Sequence, residues 1–531
     1  MTMQPEHVPV VVIGAGPTGT STAIMLGQRG VRCLVLERWP EVYPLPRAVH
    51  FDDEVFRIFA SMDLADEVTA MSRPMPGMRL TDAGHRVLAE ITRNATELGY
   101  PQANMFDQPE LERVLRTALN RYPSVELRGG VDVAEIAEVS GGPGPVRVRY
   151  RAAGPVTGAG TGPVREVWAD YVLGADGANS RTRAAVGASM EDLCFEQQWL
   201  IVDVASPEPL RVYDGVHQVC DPDRAATFMP VVPGRYRWEF RLRPGERPED
   251  FDHAKVLGLV RPWLSGVDVD KLTFLRQATY TFRGAVADRW RNGRLFLLGD
   301  AAHLTPPFIG QGMCAGIRDA ANLAWKLALV VRGDAGDRLL DTYETERRPY
   351  ARRIVQIAIA IGWLMTGGTS RTAPIRRVAL RLATRLPGAE NRAVSTLWPA
   401  FQKCPLVHPR KRDPIVGRPC PQPRVGGALL DDLLGKGFAI VYRGPDRIVA
   451  YDPQTREFFD RLGTTVARVD DLPDGGALAR LLDNARADAL LLRPDRVVAA
   501  AGTPDLRAWQ RHLRTAGINP AESPQDVRNP R

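Results

Sequence analysis

The sequence predicts an α/β protein: a Rossmann-like dinucleotide-binding domain, interrupted by a mixed β-sheet and followed by a smaller α/β segment. Three observations predict it. The apolar residues 8–13 run into the glycine turn GAGPTG, Gly14 to Gly19, and then into a helix-spaced stretch, residues 21–30. Two later motifs, GADG from Gly174 and GDAAHLTPPFIGQGM from Gly299 to Met313, are the kind that one pocket draws together from distant parts of a chain. Between them, over roughly residues 190–276, the pattern alternates, as in WLIVDV and RYRWEFRL, which reads as a half-buried sheet.

In the first motif Gly14 permits the tight turn, Gly16 lets the backbone approach a pyrophosphate, and Gly19 lets helix and strand pack closely. Pro17 and Thr18 open the helix, whose N-terminus faces the phosphates. A second strand, residues 32–36, ends in Glu37 and Arg38. Glu37 lies about 20 residues past the glycines, where a carboxylate accepts hydrogen bonds from ribose hydroxyls.

The motif at Gly299 decides which dinucleotide. The strand RLFLLGD ends in Asp300, a second acidic turn for which a plain NAD-dependent dehydrogenase has no use, whereas the acid can hold a ribityl hydroxyl of FAD. Pro306 to Gly312 is rich in Pro and Gly, so its backbone can lie against a flat ring. Met313 and Cys314 then open a helix whose amides and dipole favour an anionic reduced flavin at its pyrimidine edge.

In this order GAGPTG, GADGANSRTR and GDAAHLTPPFIGQGM resemble the flavoprotein aromatic hydroxylases of the para-hydroxybenzoate hydroxylase type, over nearly the whole chain. PRAVHFDDEVFRIF, MFDQPELERVL, QGMCAGIRDAANLAWKLALV and LLRPDRVVAA resemble the 3-(3-hydroxyphenyl)propionate hydroxylase branch, which carries a C-terminal extension. The resemblance implies that Glu37 holds the adenosine ribose, that Arg47 and Gln108 lie along the flavin chain, and that Asp300 holds ribityl. It assigns Asp176 to flavin binding and to docking of NADPH, matches Met313 and Cys314 to flavin-facing backbone, and matches Pro307 to the proline whose carbonyl borders the reacting carbon and the substrate. Arg183 is a phosphate contact or a partner in an ordinary ion pair. The implied chemistry is reduction of FAD by NAD(P)H, NADPH being favoured, and transfer of oxygen from a flavin C(4a)-hydroperoxide to a phenolic ring. The sequence does not name the group that removes the phenolic proton; Arg47 and His50 are the catalytic candidates, and His50 is a candidate for that proton or a packing or surface residue.

The 531 residues carry a formal charge of +7, but only six of the 69 basic residues are lysines and the arginines are spread among acids. That argues against a nucleic-acid surface and leaves a general attraction for NADPH and carboxylated aromatics. The basic stretch over residues 371–392 is discounted on the same ground. Six cysteines form no CxxC, the histidines form no HExxH, and no GxSxG is present, so the chemistry is expected from a cofactor, with no metal. Neither a signal peptide nor a stretch of the ~20 apolar residues that span a bilayer is evident. The expected location is cytoplasmic, without a membrane partner.

The expected domains are an FAD-binding domain over 1–189 and 277–400, a substrate sheet over 190–276, a Pro-rich linker over 401–423, and a C-terminal domain over 424–531. The resemblance makes that last domain thioredoxin-like; without CxxC it cannot exchange dithiols, which leaves a structural role or a homodimer contact. Residues 154–163 are read as a hairpin loop, and the chain after Gly333 as helical to about residue 392. A small phenolic acid is the first choice of substrate. A polycyclic aromatic polyketide or antibiotic, or a non-catalytic flavin- or drug-binding role, are the alternatives. The WxWxIP and FxGxxxHxxxWP motifs of flavin halogenases and Baeyer–Villiger enzymes are absent.

Overall fold

The computed structural model describes residues 6–94, 96–138, 145–154, 160–366, 399–401, 404–408, 414–445, 453–472 and 475–520. The expected helix beyond residue 366, with the basic stretch 371–392, lies outside them, as do half of the 154–163 loop and part of the linker.

The motif-bearing residues form an eight-stranded sheet. Its main path runs Arg291–Asn292, Leu295–Leu297, Thr161–Gly174, Glu6–Ile13, Cys33–Leu36, Val125–Arg128. From Leu295–Leu297 to Val125–Arg128 the pairs are parallel. Strands of this kind are covered on both faces and read as continuous apolar runs. Accordingly Val10, Val11 and Val12, and the whole of Cys33–Leu36, are buried. Val146–Ala152 pairs antiparallel with Thr161–Gly174, as the hairpin reading expects.

Three glycine contacts bring the motifs together. Gly14 has φ +98°, in the region that favours glycine. A Cβ on it would fall 2.4 Å from the Ala175 carbonyl oxygen, one on Gly19 would fall 1.9 Å from the Gly14 oxygen, and one on Gly316 would fall 2.3 Å from Thr18 Oγ1. The first turn therefore packs directly on the strand end that carries Asp176 and on the helix that follows the Gly299 motif.

A second eight-stranded sheet roofs this assembly, in the order His303–Leu304, Thr273–Ala287, Met190–Ala205, Arg235–Arg241, Ala226–Val232, Val216–Val219, Gly77–Thr81, Val87–Thr92. The last two strands come from residues that the sequence analysis allots to the FAD-binding domain. Met78 pairs in parallel with Val216, which covers what would otherwise be an open sheet edge. On the outer face Trp238, Phe240 and Phe228 pack with Trp263 beneath the helix His253–Val260. The inner face carries Arg237, Glu239 and Arg241.

The C-terminal segment forms a four-stranded sheet in the order Thr465–Arg468, Ala439–Tyr442, Ala489–Leu492, Val498–Gly502, with its first pair parallel and the others antiparallel. Two buried ion clusters hold it to the rest. Glu346, on the helix Arg338–Thr366, accepts from Arg493 Nη1 at 2.7 Å, Arg493 Nη2 at 2.9 Å, Lys326 Nζ at 2.8 Å and Asn322 Nδ2 at 2.6 Å. Arg57 forms a two-pronged pair with Asp431, at 2.6 and 2.8 Å, and Arg496 joins the same carboxylate at 2.9 Å. Among the described residues no helix is long and apolar enough to cross a membrane.

Glu346→Gln leaves Lys326 buried with its counter-charge removed, and Arg493 with Asp495 as its remaining carboxylate. Losing one partner of a buried pair costs about 3–5 kcal/mol. A clear fall in the denaturant midpoint is expected, and an unchanged midpoint would show that the cluster does not hold the C-terminal unit in place.

Candidate active site

A cavity of about 1130 Å³ runs between the two large sheets. Gly16, Pro17 and Thr18 line one end of it. Arg47, Gln108, Asp300, Pro307, Gly312 and Met313 line its middle, and Trp199, Met229 and Glu239 belong to its roof.

A Cβ built on Gly16 meets nothing within 4 Å, so the backbone there opens onto free space at the helix N-terminus. Glu37 is buried and accepts from the Ala15 amide at 2.6 Å and from the Trp39 amide at 2.9 Å, which fixes the carboxylate at the end of its strand beside the glycine turn. Arg38 next to it is exposed and does not line the cavity.

Asp300 lies deep in the protein but on the open floor of the cavity, so its side chain is surrounded without being covered. Burial raises its carboxyl above the ordinary carboxylate range, opposed by His303 and Arg47. The turn carrying it is fixed by Asp319, a fully buried acid that accepts from the Gly299 amide at 3.0 Å, His303 Nε2 at 2.8 Å and Arg347 Nε at 2.7 Å. Burial alone would raise Asp319; Arg347 and His303 instead hold it below the usual range. Asp319 is not among the site residues expected from the sequence. Its signal is an acid within the largely apolar helix stretch AGIRDAANLAW, beside Arg318 and Asn322.

The Arg47 loop is held from both sides. Gln108 Oε1 accepts from the Arg47 amide at 3.0 Å and the Ala48 amide at 2.7 Å, and Glu112 orients that amide group by accepting from its Nε2 at 2.8 Å. From the roof, Arg237 donates to the Arg47 and Pro46 carbonyls, each at 2.8 Å, while paired with Asp203 at 2.7 and 3.0 Å. The exposed Arg47 guanidinium stands 5.2 Å from the Tyr43 ring centre. His50 lies against Gly310, where a Cβ would fall 2.7 Å from its Nδ1, and burial lowers it to about 4. It is therefore a neutral imidazole at neutral pH.

At the start of the helix Gly312–Arg332 the first amides have no acceptor within the helix, and Gly312 and Met313 line the cavity there. The Cys314 side chain points the other way, buried, with burial pushing its thiol up. Gln311, which the sequence analysis did not single out, braces this turn through Asp52 at 2.9 Å and Arg318 at 2.8 Å. Pro307 lines the cavity, and the adjoining Phe308 packs 5.8 Å from Trp199 of the roof.

Asp176 turns into its own loop: it accepts from Ser180 Oγ at 2.6 Å and from the Thr182 amide and hydroxyl at 3.0 and 3.1 Å. Its neighbours Ala175 and Gly177 line the cavity. Arg183 donates to the carbonyls of Ala178 at 2.8 Å and Ala301 at 3.1 Å, tying one motif to the other.

These residues fit FAD. The glycine turn opens where a pyrophosphate would lie, a buried acid stands at the second strand's end, and Asp300 faces the cavity with no hydrogen bond to its carboxylate among the described residues.

The family described as an FAD binding domain matches residues 7–358, and one described as an HcaD C-terminal domain matches residues 417–516. A 3-(3-hydroxy-phenyl)propionate/3-hydroxycinnamic acid hydroxylase of Mycolicibacterium smegmatis is 34% identical over 98% of this chain and 96% of its own. The enzyme of that name from a Mycobacterium species is 35% identical over 93% and 88%. Among solved structures, aklavinone-11 hydroxylase in complex with FAD and aklavinone superposes with a TM-score of 0.79 at 26% identity, covering 97% of this chain and 99% of its own. With the motifs converging on one cavity, the chain belongs to the FAD-dependent aromatic hydroxylases, in the family of the 3-(3-hydroxyphenyl)propionate hydroxylases.

Proposed function

We propose that this enzyme hydroxylates a small phenolic acid of the 3-(3-hydroxyphenyl)propionate type, consuming NADPH and oxygen in the cytoplasm. The observation that carries the substrate class is 34% identity, over 98% of the chain, to a hydroxylase named for that acid. A polycyclic substrate is the second reading, favoured by the full-length superposition on the aklavinone complex.

Bound FAD, reduced by NAD(P)H, supplies the activated oxygen. The chain's own residues supply place and surroundings. In this reading Gly14, Gly16 and Gly19, with the helix opened by Pro17 and Thr18, take the pyrophosphate. Glu37 takes the adenosine ribose, with Arg38 at the rim, and Asp300 a ribityl hydroxyl. The amides of Met313 and Cys314 meet the pyrimidine edge, with Gly312 allowing the approach and the Pro307 carbonyl bordering the reaction centre. Gln108 fixes the Arg47 loop, leaving the Arg47 side chain free for NADPH. Asp176 acts through the loop it braces. Trp199, Phe282 and Phe308 keep water from the ring.

The C-terminal unit is assigned a thioredoxin-like fold, supported by its strand and helix order and sheet pairing. Its ion clusters face this chain's own helices, which favours docking within the subunit over a homodimer contact.

Purified enzyme is expected to oxidise NADPH faster with 3-(3-hydroxyphenyl)propionate than without it, and to yield hydroxylated product in matching amount. Stimulation only by polycyclic phenols would shift the proposal to the second reading, and stimulation yielding peroxide alone would mark the acid as a non-substrate. Asp300→Ala removes a charge-assisted hydrogen bond of about 1.5–3 kcal/mol. FAD should therefore bind roughly ten to a hundred times more weakly, read by equilibrium titration of the apoprotein; unchanged affinity would refute the ribityl assignment.

A further inference from the structure

On the inner face of the roof, strand register sets four residues in one row across adjacent strands: Ile201, Glu239, Thr227 and Gln218. Gln218 is already committed, its amide nitrogen donating to the Ala226 carbonyl at 3.1 Å and its oxygen accepting from Thr227 Oγ1 at 2.9 Å. The Thr227 hydroxyl proton is thereby used as well. Glu239, buried at 9% exposure and lining the cavity, is left with no hydrogen bond to its carboxylate among the described residues.

The charged groups around it are engaged elsewhere. Arg237, on its own strand, gives its donors to Asp203 and to the Pro46 and Arg47 carbonyls. Arg241, on the same strand, donates to the Thr366 carbonyl at 2.6 Å and to Pro222. Arg276, two strands away, donates to the Pro46 carbonyl at 2.6 Å and to Tyr280. Asp203 is bound by Arg237, and Arg47, His50, Asp53, Arg93 and Asp300 line other parts of the same cavity, Asp53 with its carboxyl pushed up to about 8 by burial and by Asp52 and Glu54. A buried carboxylate with unfilled acceptor positions is costly unless a ligand completes it. The wall around it, with Trp199, Met229 and Phe282, suits an aromatic ring.

We propose that Glu239 is a catalytic residue that accepts the substrate's phenolic hydroxyl and takes its proton. The assignment rests on the hydroxylase reading with a phenolic substrate. The O–H bond breaks, its electron pair stays on the phenolic oxygen, and the proton goes to a Glu239 oxygen. The ring then carries the extra electron density that an incoming electrophilic oxygen atom requires, and the proton leaves Glu239 with product release. The same carboxylate repels an anionic substituent, so it orients the hydroxyl, and turns a substrate's own carboxylate away. Burial pushes the Glu239 carboxyl up to about 7, against the pull of Arg237 and with added repulsion from Asp203. A base poised near the working pH is the efficient case.

The test compares holoenzyme with Glu239→Gln and Glu239→Asp. The Gln variant should keep its FAD and bind substrate within about threefold of wild type. Its hydroxylation kcat should fall roughly a hundredfold. The acidic limb of the kcat/KM profile, near 7 in wild type, should disappear in it. A bound nitrophenol, followed by difference absorbance, should ionise at a different pH in the Gln variant, whose amide can neither take the proton nor repel the phenolate, and the Asp variant should recover part of the rate with its limb shifted.

Stability provides a second readout. The folded carboxyl stays protonated between its ordinary 4.5 and about 7, so the fold loses stability as pH rises through that window. The Gln variant should therefore melt higher than wild type above pH 7 by more than it does below 4.5. A Gln variant with the wild-type rate and pH profile overturns the assignment. So does one that loses rate while the pH profile and nitrophenol ionisation stay unchanged. A wild-type enzyme that holds FAD and oxidises NADPH but hydroxylates no phenol overturns the underlying reading, whatever the Glu239 variants do.

Discussion

Arg237 is 2% exposed, so its guanidinium must find partners inside the protein or remain an uncompensated charge. It finds Asp203 on the neighbouring roof strand and the Pro46 and Arg47 carbonyls on the other side of the cavity. One planar fork with fixed donor directions thus ties the roof sheet to the loop that carries Arg47. Much of the site follows from that. The Arg47 loop is held against the roof, the spacing that leaves a cavity is set, and the nearest cation to Glu239 is already committed. A lysine in the same place would carry equal charge without the geometry to reach both carbonyls and both carboxylate oxygens.

This arrangement explains where the sequence was legible and where it misled. GAGPTG, the acid at Glu37 and the Gly299 motif could be read because each depends on local backbone geometry, with glycines where a Cβ would strike a carbonyl oxygen 1.9 or 2.4 Å away. RYRWEFRL could be read as a strand but not as a site. Alternation separates Tyr236, Trp238 and Phe240 from Arg237, Glu239 and Arg241, and a polar face ordinarily means solvent. Here the outer face packs on Trp263, and the polar face is buried against the Arg47 loop and the cavity. Nothing within eight residues of sequence records that this loop lies against it.

The Gly299 turn shows the same limit at shorter range. Asp300 was visible as an acid at a strand end. The residues that aim it were not, because Asp319, His303 and Arg347 meet only in three dimensions. Gly77 to Thr92 is a further instance: its alternation is short, and its membership of the roof depends on pairing with Val216, well over a hundred residues away. Long-range pairing of this kind carries no local signature, whereas close backbone approach selects glycine residue by residue.

Two buried glutamates show how one chain separates structural from chemical use of the same group. Glu346 is ringed by Arg493, Lys326 and Asn322, and these hold its carboxyl far below the usual range although burial alone would raise it. A carboxylate held ionised by its partners suits a joint between domains. Glu239 is also buried, yet its nearest cation is shared with Asp203 and the polar side chains beside it, Thr227 and Gln218, are bonded to each other, so burial dominates. A carboxyl that can change its charge near neutrality destabilises an empty cavity and is of little use as a joint. Its presence on an otherwise well-paired face is accounted for by a ligand that brings a hydroxyl to it, in a site whose purpose is to make a phenol ring more reactive.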